Sequence, residues 1–90
     1  MDRVELLIGK ADGDLIAAKN VLAHPDSYPE TIAFHLQQAM EKLLKALLVH
    51  SGLDVPRTHD LNYLIDILIE RYPKIEKFYD LSEKLVPHAK

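Results

Sequence analysis

The sequence predicts an all-α fold, an antiparallel up-and-down bundle of about four helices that forms a single domain over residues 1–90. Apolar residues recur at intervals of three and four along most of the chain, as they do on the buried side of an amphipathic helix. No stretch alternates polar and apolar residues in the way that a half-buried strand does. Prolines divide the periodic segments into four, and short connections between helices favour antiparallel neighbours.

The longest helical signal is the stretch of residues 31–52, which we expect to form the central helix. Its apolar arc covers roughly half of the circumference, more than a helix with one buried stripe needs, so we expect it to contact several neighbours. The other side is a polar strip, which we expect to remain free for water, a partner or a ligand. The members of this polar strip are His35, Gln38, Glu41, Lys42 and Lys45.

A first helix is predicted over residues 2–23, where apolar residues keep the helical spacing until a proline-containing turn at residues 24–29. Gly9 and Gly13 lie inside this segment. They are either tolerated weak points of the helix, at about 1 kcal/mol each, or places where a second backbone approaches closely, as at a dimer seam.

The ends of the other helices carry recognisable signals. The central helix should begin near Pro29 and end at Gly52, which can adopt the left-handed conformation of a C-terminal cap. Thr58 is predicted to cap a third helix, with Asp60 in its first turn and a break at Pro73. Its core stripe is Leu61, Leu64, Ile65 and Leu68. A fourth helical segment is predicted over residues 74–86, with Ile75, Phe78, Leu81 and Leu85 on one face.

Composition limits the classes of function. No apolar run approaches the roughly 20 residues of a membrane helix, and no signal peptide is evident, so we expect a cytoplasmic protein. The formal net charge of −3 gives no overall attraction to nucleic acid, which would need a local basic patch such as Lys42, Lys45 and Arg57. The absence of cysteine excludes disulfides, a thiolate nucleophile and cysteine-rich zinc sites.

Two constellations are candidates for a site. Gln38, Glu41 and Lys45 point the same way from the central helix, either as a solvated face with a Glu41–Lys45 ion pair or as a binding or subunit surface. After that helix, residues 56–61 combine a helix start with Arg57 and His59, which could hold a phosphate. Alternatively, Thr58 and Asp60 cap the helix while His59 hydrogen-bonds to a neighbouring element.

Other kinds of site have no support in the sequence. The five histidines lack the spacings that place two metal ligands on one helical face, so we expect no metal site. Glycine-rich phosphate loops and nucleophile elbows are also absent, and we expect no resident cofactor.

Taken together, FHLQQAMEKLLKALLVHSG and VPRTHDLNYLIDIL resemble the HEPN domain, named for nucleotide binding in higher eukaryotes and prokaryotes, in its small prokaryotic form. The resemblance covers about residues 4–86. It implies an antiparallel helical bundle that commonly dimerises and is often encoded beside a minimal nucleotidyltransferase as a toxin–antitoxin-like pair. Many members are metal-independent ribonucleases with an arginine followed four to six residues later by a histidine.

The chain departs from that pattern in two respects. Arg3, Arg57 and Arg71 have no histidine at the required distance, and His59 is too close to Arg57. Members of this kind also tend to continue into a further helix. If such a closing helix is missing, part of the apolar surface should be exposed, and self-association would be the simplest way to cover it.

Three functions follow as hypotheses. The first is a non-catalytic nucleotide-binding and interaction module that acts as a homodimer with a nucleotidyltransferase partner, using the polar strip together with Arg57, His59 and Asp60. The second is a ribonuclease toxin in which His59 is the general base and Arg57 stabilises the phosphate. The third is a structural helical adaptor without a ligand. The missing motif favours a protein that is not an enzyme.

Overall fold

The computed structural model describes residues 1–85, and the described chain is helical between short connections, with no strand. Four α-helices are present: α1 (Arg3–Leu22), α2 (Pro29–His50), α3 (Leu61–Leu68) and α4 (Phe78–Leu85), with a 3-10 helix over Pro73–Lys77 before α4. The prediction of an all-α bundle of about four helices is confirmed.

The helix ends follow the local chemistry of the sequence. Asp2 and Glu5 form a reciprocal capping box at the start of α1, in which the Glu5 amide donates to the Asp2 carboxylate over 2.8 Å. Pro29 opens α2, where its missing amide proton costs nothing. Gly52 has φ of 75°, and the Leu53 amide donates to the Leu48 carbonyl, so the predicted left-handed cap is confirmed.

Alanines form the seam between α1 and α2. Four buried alanines, two from each helix, allow the backbones to approach closely. They are Ala11, Ala18, Ala39 and Ala46. The seam is bridged by an ion pair from Lys42 Nζ to Asp14 Oδ2 at 2.5 Å. Among the described elements, α1 contacts α2 alone.

The main core lies between the C-terminal half of α2 and the segments that follow it. The four residues of the predicted core stripe of α3 are fully buried and pack with Leu44, Leu48 and Ile75. The predicted stripe of the third helix is therefore confirmed, and this half of the molecule contains most of the buried leucine and isoleucine.

The connection from α2 to α3 doubles back along α2. Contacts place His59 beside Glu41 and Tyr72 beside Ser51, so α3 starts near the middle of α2 and ends near its C-terminus. α4 runs antiparallel to α3, as two hydrogen bonds between them show. Tyr79, near the start of α4, donates to Asp66 near the end of α3, and Ser82, further along α4, donates to Asn62 near the start of α3. The Asp66 hydrogen bond raises the pKa of the Tyr79 hydroxyl.

The predicted fourth segment begins with a different helix type. Pro73 starts a 3-10 turn that positions Ile75 in the core, and regular α-helix starts only at Phe78. A proline is compatible with the first position of such a turn because it needs no amide donor there. The predicted end of the segment at residues 86 and 87 lies outside the described residues.

Two glycines make a matched pair for a stability test. Gly13 is an exposed helical position at which an added Cβ meets no atom within 4 Å, whereas Gly52 has positive φ. We expect Gly13→Ala to raise the free energy of unfolding by about 0.5–1 kcal/mol and Gly52→Ala to lower it by about 1–2 kcal/mol. Urea denaturation followed by circular dichroism measures both. Destabilisation by Gly13→Ala would contradict the assignment of that position.

Candidate functional site

The polar strip of α2 is less open than expected. Glu41, at its centre, is only 5% exposed. The other four members are half-buried. The strip expected to be free for water, a partner or a ligand therefore has an enclosed carboxylate at its centre, because the loop that returns from the end of α2 covers it.

Glu41 is the centre of a three-residue cluster that we call the Glu41 cluster: Glu41, Lys45 and His59. His59 Nδ1 lies 3.0 Å from Glu41 Oε1 and 3.1 Å from Oε2, while Lys45 Nζ lies 2.9 Å from Oε2. Lys45 is one helical turn along α2, and His59 comes from the returning loop. A buried carboxylate is costly without such partners, and here Lys45 compensates its charge while His59 adds a hydrogen bond.

The contact with Glu41 fixes how the His59 ring is used. An ionised carboxylate only accepts hydrogen bonds, so Nδ1 must carry the proton that lies between the two side chains. The other nitrogen, Nε2, belongs to a side chain that is 82% exposed. This arrangement resembles a carboxylate that orients a histidine in proton-transfer sites, and it leaves Nε2 accessible to a ligand.

The start of α3 is capped by its own side chains. The Tyr63 amide donates to Asp60 Oδ1 over 3.2 Å, and the Asp60 amide donates to Thr58 Oγ1 over 3.0 Å. The N-cap is therefore Asp60. The prediction that Thr58 is the cap, with Asp60 in the first turn, is wrong by two positions, because the helix starts only at Leu61 and Thr58 shapes the preceding turn.

The Asp60 cap disfavours the binding of a phosphate at the start of α3. The Asp60 carboxylate occupies the positive end of α3, where a phosphate would otherwise bind, and a second anion there would be repelled. Of the two alternatives that the sequence left open, the observed contacts are those of the capping arrangement, in which His59 hydrogen-bonds to another element.

The remaining candidate residues are distributed around this cluster. Lys42 is paired with Asp14 of α1 and not with the cluster. His35 lies two turns earlier, on the face that Lys42 presents to α1, and its Nδ1 is enclosed without a hydrogen-bond partner among the described residues. Gln38 is half-buried and Arg57 is exposed in the returning loop.

The electrostatics of the site are balanced. Lys45 is paired with Glu41 and Lys42 with Asp14, and Arg57 is followed three residues later by the acidic Asp60. The basic patch considered for nucleic acid is therefore offset by acids. Over residues 1–85 no group of three or more histidines and acids is arranged to hold a metal ion.

An apolar groove is the second notable surface. It has a volume of about 280 Å³ and lies between α1 and the segment from Ile75 to Leu85, over the apolar face of α2. Its lining is Leu15, Leu36, Ala39, Met40, Leu43, Leu44, Leu47, Ile75, Phe78, Leu81 and Leu85. All eleven lining residues are apolar, so among the described residues the groove is a contiguous apolar surface.

The positions of two features of the site could not be predicted from the sequence. Asp14 pairs with Lys42 across 28 residues, and the groove arises because α1 and α4 flank α2 without contact with each other. Periodicity predicts which residues are apolar within each helix, but it does not say which helices become neighbours.

Two lysines of α2 allow the ion pair of a buried carboxylate to be compared with that of a half-buried one. The Lys45–Glu41 side chains are 17% and 7% exposed, against 25% and 19% for Lys42–Asp14. We expect Lys45→Met to lower the free energy of unfolding by about 1–3 kcal/mol, since it leaves a buried carboxylate short of a partner. Lys42→Met should cost less than about 1 kcal/mol. Equal losses in urea denaturation would contradict the central role of Glu41.

Within residues 1–85, none of the helices combines the length and the apolar character that crossing a membrane requires. No curated protein matches the chain, and no solved structure does. A family model described as the HEPN domain matches residues 4–89, a span that includes the polar strip, the returning loop and the start of α3. The chain therefore belongs to the HEPN domain family.

Proposed function

We propose that the chain is a single-domain, non-catalytic HEPN module over residues 1–90 that binds a nucleotide and acts as a homodimer with a nucleotidyltransferase partner in a toxin–antitoxin-like system. The observation that carries the proposal is the combination of family membership with the absence of the ribonuclease motif. None of the three arginines, Arg3, Arg57 and Arg71, has a histidine four to six residues later.

Ion pairing and exposure indicate which of the candidate residues are free to contact a ligand. Lys45 and Glu41 neutralise each other, Lys42 is held by Asp14, and Asp60 caps α3. Arg57 and His59 remain exposed, two residues apart in the returning loop. A guanidinium beside an imidazole suits a phosphate and a base or ribose edge, so these two residues are the proposed contacts for the nucleotide.

The groove supports the association part of the proposal. Contiguous exposed apolar surface on a small protein marks an interaction site more often than a chance feature. Proteins of this family commonly dimerise, and the groove offers a surface for it that is separate from Arg57 and His59.

The partner is testable by co-expression with a nucleotidyltransferase encoded by an adjacent gene. We expect the two chains to co-elute in size-exclusion chromatography. We also expect Arg57→Ala, in the loop between α2 and α3, to weaken the complex. Arg71→Ala is the matched control, because Arg71 is also exposed but lies after α3. Migration of the wild-type chains as two independent species at micromolar concentration would reject the partner.

The Glu41–His59 contact favours a second candidate function. In an atypical ribonuclease, Glu41 would hold the tautomer that leaves Nε2 of His59 ready to accept the proton of a ribose 2′-hydroxyl. The 2′-oxygen would bond to the neighbouring phosphorus as the bond to the 5′-oxygen breaks, with water protonating the leaving oxygen and Arg57 stabilising the charge on the phosphate oxygens. This use of Glu41, His59 and Arg57 does not depend on an arginine followed four to six residues later by a histidine.

Cleavage of RNA by the purified protein tests this second function. His59→Ala should reduce the rate by about 100-fold or more, and Glu41→Gln by less, because only orientation is lost. His50→Ala, at another exposed histidine near the end of α2, should leave the rate unchanged. Cleavage that survives His59→Ala would contradict the assignment of His59, and a lack of cleavage by the wild-type dimer would reject the enzyme class.

A further inference from the structure

We infer that His59 is a phosphoryl-acceptor site, at which Nε2 takes a phosphoryl group from a phosphoramidate donor while Glu41 acts as the positioning residue. This inference goes beyond the proposed function, since it depends neither on a bound nucleotide nor on a second chain. It also differs from the atypical ribonuclease, because here the imidazole forms a covalent bond to phosphorus and does not act as a base.

The Glu41 cluster holds the imidazole of His59 by one nitrogen only. His59 Nδ1 lies 3.0 Å and 3.1 Å from the two carboxylate oxygens of Glu41. The Glu41 side chain is 7% exposed, whereas the His59 side chain is 82% exposed. With Nδ1 occupied by the buried carboxylate, Nε2 is the ring nitrogen that a reagent can reach from solvent.

The contact with Glu41 also prepares Nε2 as a nucleophile. Because an ionised carboxylate only accepts hydrogen bonds, the proton of the neutral ring lies on Nδ1 and the free lone pair lies on Nε2. Attack by Nε2 makes the ring cationic, and the hydrogen bond from Nδ1 to Glu41 strengthens as that charge develops. Lys45 Nζ, 2.9 Å from Glu41 Oε2, compensates the carboxylate in the folded chain before the reaction.

The transfer is a displacement at phosphorus that needs no other reactant. The lone pair of Nε2 forms a new N–P bond as the N–P bond of phosphoramidate breaks. The leaving nitrogen, protonated as an ammonium-type group in the donor, departs as ammonia with the electron pair of the broken bond. His59 then carries the phosphoryl group on Nε2 and keeps the proton on Nδ1, where it is hydrogen-bonded to Glu41.

Three carboxylates lie near His59 in space or in sequence, and they leave room for an incoming anion. Glu41 is paired with Lys45. Asp60 is the N-cap of α3, so the positive end of that helix offsets its charge. Asp54 is at the opposite end of the returning loop, just after α2. Two of the three acids are therefore compensated, and the third lies away from the position at which His59 meets Glu41.

Arg57 is a cation that the phosphoryl group can use. It is exposed, lies two residues before His59 and is in no ion pair among residues 1–85. A guanidinium binds phosphoryl oxygens through two parallel hydrogen bonds. The returning loop thus supplies both the nucleophile and a group able to stabilise the charge of the donor.

The other described histidines provide controls within the same molecule. His24, in the turn between α1 and α2, and His50, at the end of α2, are both exposed, and neither contacts a carboxylate in the described part of the chain. His35 is half-buried, with its Nδ1 enclosed. His59 therefore differs from His24 and His50 in its carboxylate contact and not in being exposed.

The wild-type chain tests the inference, with phosphoramidate itself as the probe. The reaction is run at about pH 8, where histidine side chains are mostly neutral, and mass spectrometry follows the phosphoryl group on each histidine. We expect His59 to react at least about tenfold faster than His24 and His50, because a hydrogen bond to a charged group contributes enough free energy for that factor. Phosphorus NMR should place the group on Nε2. A rate at His59 no higher than at His24 and His50, or a phosphoryl group on Nδ1 of His59, overturns the inference.

The variant Glu41→Gln tests the role of the carboxylate. Glutamine keeps the size and one oxygen acceptor but removes the charge, so we expect the reaction of His59 to slow by about tenfold and to yield product at both ring nitrogens. The rate at His50 in the same variant is the control and should not change. Circular dichroism checks the fold, and if the variant does not fold, the wild-type comparison with His24 and His50 decides. A folded Glu41→Gln variant in which His59 reacts as fast as in wild type, and on Nε2 alone, overturns the inference.

Discussion

The carboxylate of Glu41 is the constraint on which the second half of the molecule depends. A charge that is 95% removed from water needs partners within hydrogen-bond distance, and one of them, His59, lies 18 residues away. The chain can bring His59 back only if the connection after Gly52 turns and follows α2 towards its middle. That path sets the starting point of α3, and with it the packing of Leu61, Leu64 and Leu68 on Leu44 and Leu48.

The same constraint changes the meaning of the polar residues of α2. Side chains that would make a basic surface on an isolated helix are largely occupied with holding helices together: Lys42 with α1, and Glu41 and Lys45 with the returning loop. What remains outward is Arg57 and one edge of His59, together with an apolar groove on another side of α2. The paired basic side chains of α2 are therefore less available at the surface than the sequence alone indicates.

Much of the fold could be predicted from the sequence, because each helix carries its own periodicity and its own ends. The buried stripe of α3, the left-handed Gly52 and the opening of α2 at Pro29 are all local properties. The site was less predictable. The burial of Glu41, its contact with His59 and the pairing of Asp14 with Lys42 depend on the path of the chain between elements 18 to 28 residues apart. Even the N-cap of α3 lies two residues after the predicted one, since Thr58 and Asp60 are both good caps and only the turn geometry decides between them.

The alanine seam has a consequence for how evenly stability is distributed. α1 is attached through small side chains and one partly exposed ion pair, whereas α2, α3 and α4 share the large aliphatic residues. Burial of alanine contributes far less free energy per residue than burial of leucine, so α1 should be the segment that detaches first, in a local opening that leaves the remaining helices packed. Whatever binds across the wall that α1 provides would therefore also suppress that opening, and would link association to the protection of the amino-terminal helix against hydrogen exchange and proteolysis.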